Sequence, residues 1–149
     1  MKYLKKYKIF ESSEFDNIKL VLEDILQEMK DEFRPKSKRE GERTNYLNLP
    51  IDIRYTERGE KNLISIRIGT EWANLDDYSI NMRKSEDTLF RINDYMKSEG
   101  YSFKSFVWDY AGETKFSYNE MGSKTPFESI LKIGETVYVA FFYTKNANN

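Results

Sequence analysis

Leu47-Asn48-Leu49-Pro50-Ile51-Asp52-Ile53-Arg54-Tyr55-Thr56 decides the reading of the fold, because Leu47, Leu49, Ile51, Ile53 and Tyr55 fall on alternate positions. A period of two places those side chains on one face of a β-strand. Pro50 has no N–H to donate, so this strand either lies at a sheet edge or starts late. Glu57 to Asn62, around Gly59, reads as a hairpin loop, and Ile64, Ile66 and Ile68 alternate with Ser65 and Arg67 in the returning strand. A hairpin that is apolar on one face needs cover on that face alone.

Toward the N-terminus, Tyr7 and Ile9 alternate with Lys6 and Lys8, which predicts a strand over residues 3 to 10. Ser12 or Ser13 then caps a helix in which Phe15, Ile18, Leu22, Ile25, Leu26, Met29 and Phe33 recur every three or four residues. Pro35 disfavours helical geometry at Arg34 and ends it. Residues 34 to 45 are charged or polar around Pro35 and Gly41, and read as a flexible charged loop.

Toward the C-terminus, Tyr78, Ile80 and Met82 alternate only weakly. Ser85 caps a second helix with Leu89, Ile92 and Met96 on one face, and Gly100 is placed to end it in the left-handed conformation. A strand over Tyr101 to Tyr110 follows, then a loop over 111 to 125. Thr125-Pro126 opens a short helix running to Lys132, and Glu135 to Lys145 is the final strand. The expectation is a single α+β domain over 1–149, with a disordered tail at 146–149. Its first six elements have the ferredoxin-like βαββαβ order, an antiparallel sheet with both helices on one face, extended by the C-terminal short helix and strand.

The 149 residues are about the size of one domain, and 24 Lys and Arg nearly balance 25 Asp and Glu. Attraction to a polyanion therefore has to come from a local patch. The sequence has no Cys and no His, which removes disulfides, thiolate nucleophiles, Cys/His zinc sites and imidazole triads. The longest apolar run, Val137 to Tyr143, is too short to cross a bilayer, and the basic start of the chain lacks the apolar core of a secretory signal. These features predict a cytoplasmic or virion setting and no membrane partner. No cofactor and no metal are expected: the glycines form no phosphate-binding loop, Asp76 and Asp77 point apart on a strand, and Asp109, Glu113 and Lys115 are too compressed for a metal-dependent nuclease.

Two surfaces compete for a binding role. Trp72 and Leu75 in one loop, and Phe116, Tyr118 and Met121 in another, are larger and more apolar than loop residues usually are, which points to a protein partner or to self-association. Alternatively, Lys6, Lys8, Arg54 and Arg67 share the sheet face away from the helices with Lys104, Phe106, Trp108 and Tyr110. Cations beside aromatic rings suit single-stranded nucleic acid, since bases stack on rings while phosphates meet Lys and Arg. Against this, the last strand is apolar on both faces, so Phe127, Ile130, Leu131 and Ile133 are expected to cover that side and make its rings ordinary core. A small-molecule site or a carboxylate-based enzyme is the third reading.

Phe10-Glu11-Ser12, Phe15-Asp16, Ile18-Lys19 and Leu22-Glu23-Asp24-Ile25-Leu26 resemble the N-terminal run of small uncharacterised proteins of AT-rich tailed phages. The resemblance carries no site motif. It implies a virion component or a host-interaction factor, and the expectation taken forward is a non-catalytic protein-interaction module.

Overall fold

The alternation becomes a strand that starts late, at Ile51 directly after the proline, and lies at the edge of a sheet. A computed structural model describes residues 2–33, 48–58, 61–70, 78–110, 113–117 and 127–146, with the side chains at 2–13, 58, 61, 110 and 113–117 outside that description. The elements are α1 (Lys2–Glu32), β1 (Ile51–Arg58), β2 (Lys61–Gly69), β3 (Ile80–Asn81), α2 (Glu86–Ser98), β4 (Tyr101–Tyr110), β5 (Glu113–Ser117), a 3-10 helix (Phe127–Ile133), β6 (Glu135–Thr136) and β7 (Tyr138–Lys145). β1-β2-β7-β4-β5 form one sheet in that order, antiparallel throughout, while β3 and β6 pair separately. The class is α+β.

The element order differs from the expectation at the start of the chain. Residues 3 to 10 are helical, not a strand, so the chain opens on a helix. Leu4, Tyr7, Glu11, Phe15 and Ile18 are three or four residues apart, and neither Pro nor Gly interrupts Lys2 to Glu32; the short alternation at 6–9 lies within this longer period. The place between β2 and β4 is taken by β7, which pairs with both. The expected 111–125 loop contains β5, paired to the second half of β4. The 34–45 loop lies outside the described residues, as does the tail except Asn146, whose N–H donates to the carbonyl of Gly100 at 2.8 Å.

Register assigns the faces. Ile53, Ile66, Phe141 and Phe106 lie opposite one another across four strands, and Tyr55, Ile64, Tyr143 and Phe103 form the next row. Both helices cover this side: the ring of Phe15 in α1 packs against that of Tyr55 with centroids 5.2 Å apart, and the hydroxyl of Tyr143 donates to Oδ1 of Asn93 in α2 at 3.1 Å. Ile18, Leu22, Ile25, Leu26 and Met29 of α1 are buried with Leu89, Ile92 and Met96 of α2. Gly100 ends α2 with φ 86°, the left-handed conformation anticipated for it.

One glycine is required by contact. Gly69 has φ 91°, and a Cβ there would stand 2.0 Å from the carbonyl oxygen of Val137. Nearby, Tyr78 is fully buried and its hydroxyl is satisfied twice, accepting from the N–H of Thr70 at 2.7 Å and donating to that same Val137 oxygen at 3.0 Å. A phenol removed from water with both partners present carries no desolvation penalty for a missing hydrogen bond.

Candidate functional site

Phe106 and Trp108, expected on the open sheet face, are on the other side. A β-bulge between Phe103 and Ser105 inserts Lys104 as an unpaired residue, and this reverses the alternation for the first part of β4. Phe103, Phe106 and Trp108 therefore all share the helix-covered face, where Phe106 contacts Trp108 at 5.3 Å and is buried. Phe127 of the 3-10 helix lies 5.2 Å from Phe103 and 5.8 Å from Phe90, so that helix extends the same core and does not cover the opposite face as expected.

The opposite face carries Asp52, Arg54 and Thr56 of β1, Leu63, Ser65 and Arg67 of β2, Tyr138, Ala140 and Phe142 of β7, and Ser105, Val107 and Asp109 of β4. Arg54 donates to Oδ2 of Asp52 at 2.5 Å, so the carboxylate directly opposite Arg67 is already engaged. Nε of Arg67 is buried without a hydrogen-bond partner, and so is Oδ1 of Asp109. Asp109 is only 4% exposed, and β7 with the small Ala140 separates it from Arg67. Leaving a buried polar atom unpaired costs roughly 1–3 kcal/mol, so this face is less well satisfied than its apolar counterpart.

Arg54 and Arg67 thus belong to the polar side of the sheet, Lys104 is the exposed bulge residue, and Phe106 and Trp108 lie on the covered side. Lys6 and Lys8 lie on α1, and their side chains, like that of Tyr110, are outside the description. Trp72, Leu75, Tyr118 and Met121 lie outside the described residues; Phe116 occupies β5 opposite Val107, its side chain likewise undescribed. The rings of Phe106 and Trp108 and the cations Arg54 and Arg67, expected together, lie on opposite faces of the sheet.

A site that the alternation did not reveal lies at the C-terminal end of α1. There a cleft of about 250 Å³ is lined by Met29, Glu32, Phe33, Leu49, Ser79, Ile80, Asn81, Lys84, Ser85 and Glu135. Its walls come from four places in the chain: the last turn of α1, the residues before β1, the β3–β6 pair, and the turn that starts α2. Asn81 and Glu135 are paired in register, and the N–H of Met82 donates to the carbonyl of Gly134 at 2.9 Å. Oδ1 of Asn81 accepts from the N–H of Lys84 at 3.1 Å, while Ser85 donates to the Asn81 carbonyl at 3.1 Å and does not cap α2 with its side chain. The turn is fixed by its own hydrogen bonds. The only sequence signal for this place was the weak alternation at Tyr78, Ile80 and Met82, all three now buried.

Two phenols on the helix-covered side are perturbed. Burial, with the carboxylates of Glu14 and Glu99 nearby, pushes Tyr101 up to about 12. Burial, assisted by Asp94, raises Tyr143 as well. Among the described residues no group of three or more acidic side chains is arranged to hold a metal ion, and no helix is long and apolar enough to cross a membrane. Comparison with protein-family models, with curated proteins and with solved structures finds no match.

Proposed function

We propose that the protein is a non-catalytic interaction module whose contact surface is α1. The observation that supports this is the length of the helix relative to the sheet beneath it. Glu14 lies 3.7 Å from Lys145, the last residue of β7, and Phe15 packs against Tyr55 near the end of β1. The helix nevertheless begins at Lys2. Twelve further residues continue past that end of β7, about 18 Å at 1.5 Å per residue. These residues continue one 31-residue helix, and helices in proteins gain most of their stability from packing an amphipathic face.

The outward side of the packed half points the same way. Leu20 is 63% exposed and its neighbour Val21 39%, whereas Ile18 and Leu22 on the inner side are buried. The run from Phe10 to Leu26 that resembles small tailed-phage proteins lies within this helix, and we take the partner to be a virion or host protein on that basis. The sheet itself we read as a ferredoxin-like sandwich in permuted form, with β7 standing where an N-terminal strand would otherwise lie between β2 and β4.

A photo-crosslinking amino acid at position 20 of the full chain, compared with one at Thr56 on the polar sheet face, tests the assignment. Position 20 should give an adduct of discrete mass that position 56 does not. Identical adducts from both positions, or none from position 20, would remove α1 as the contact surface.

A further inference from the structure

We propose that the cleft at the end of α1 binds a small organic amine with an apolar body. The floor is hydrophobic: Met29, Leu49 and Ile80 are buried, and Phe33 closes one side. Among the described residues that line it the rim is charged, with Glu32 and Glu135 against the cation Lys84. None of these three ends is engaged in an ion pair among the described residues. Among these described side chains, two carboxylates against one ammonium leave an excess negative charge.

The backbone adds to that excess. Glu32 closes α1, and the carbonyls of a last helical turn lack intrahelical partners, which concentrates partial negative charge there. Lys84 and the start of α2 oppose this in part, but the first turn of α2 is itself acidic through Glu86 and Asp87. Size sets the class of occupant. At about 250 Å³ the cleft falls just below the roughly 300–1,000 Å³ of sites for drug-sized ligands, so it takes one small aromatic system, up to a fused bicycle, or a short branched chain with its head group. Such a ligand sets its apolar body on Ile80 and Leu49 and directs its ammonium to Glu32 and Glu135.

Tryptamine and indole-3-propionate, which share a ring and carry opposite charges, separate this proposal from unspecific apolar binding when titrated into the isotope-labelled full chain and followed by amide chemical shifts. Tryptamine should shift the amides of Ser79 to Ser85 and of Glu135 saturably. Indole-3-propionate should bind at least about five-fold more weakly, the scale set by solvent-exposed ion pairs. The double variant Glu32→Gln, Glu135→Gln alters exposed side chains and should abolish that preference while the spectrum remains that of the folded protein. Equal affinity for the two ligands, shifts centred away from the cleft, a preference that survives the double variant, or no saturable shift below about 10 mM would each overturn it.

Discussion

The two faces of the sheet differ in how their requirements are met. On the helix-covered face the rows Ile53–Ile66–Phe141–Phe106 and Tyr55–Ile64–Tyr143–Phe103 are largely apolar, and the buried hydroxyl of Tyr143 has its partner in Asn93. The other face mixes Ala140 and Val107 with Arg67 and Asp109, whose buried Nε and Oδ1 have no partner. Stability therefore resides in the first face, and unsatisfied polarity in the second. The same contrast bears on nucleic-acid binding, since Phe106 and Trp108 serve the first face while Arg54 and Arg67 lie on the second.

That contrast can be broken by mutation. Phe141→Ala, at the centre of the helix-covered rows, should cost about 3–5 kcal/mol by urea unfolding, as large-to-small changes of buried aromatic side chains do. A loss below about 1 kcal/mol would mean that this core repacks freely. Asp109→Asn should act in the opposite direction. Removing an unpaired, nearly buried charge is expected to raise stability by about 1–2 kcal/mol; a loss instead would reveal that the carboxylate is paired in solution, and the two faces would then be alike.

Tyr143→Phe sharpens the comparison at smaller scale, since it leaves Oδ1 of Asn93 without its donor and should cost about 1 kcal/mol near neutral pH. The phenols also set an alkaline limit. Their pKa values lie above the ordinary 10 in the folded chain, so the stability they contribute is fully present below pH 10 and declines as pH rises from there through about 12 for Tyr101. A thermal-denaturation series over that window should show the decline, and Tyr101→Phe should flatten it. Arg54→Ala removes only the exposed pair with Asp52 and should change the unfolding free energy by less than about 0.5 kcal/mol. A larger effect would show the polar face to be electrostatically organised.

Where the helix and strand periods ran uninterrupted, the elements were legible. The β1–β2 hairpin with its inward isoleucines, the Phe15-to-Phe33 stripe, the second helix with its terminal glycine and the strand at 101–110 all follow from spacing and punctuation. Two departures have local causes. Lys6 to Ile9 alternates for only four residues inside a longer helical period, and the longer period prevailed. Glu113 to Ser117 has a strand's composition over only five residues and becomes β5 because β4 offers it a free edge.

The candidate sites were less legible, for reasons that lie in three dimensions. A bulge is a property of paired strands, and nothing in Tyr101 to Tyr110 marks Lys104 as the extra residue that moves Phe106 and Trp108 to the covered face. The cleft joins Met29, Leu49, Ile80 and Glu135, residues far apart in the chain, and pairing of β3 with β6 against the end of α1 is what creates it. By itself the sequence determined the elements whose period runs long, the Phe15-to-Phe33 stripe, the β1–β2 hairpin and the second helix, and which of their sides are apolar, because periodicity is a local property of the backbone. Tertiary structure alone decided that β7 lies between β2 and β4, which face received the rings, and where a cavity remained, because each depends on which distant strands pair and in what register.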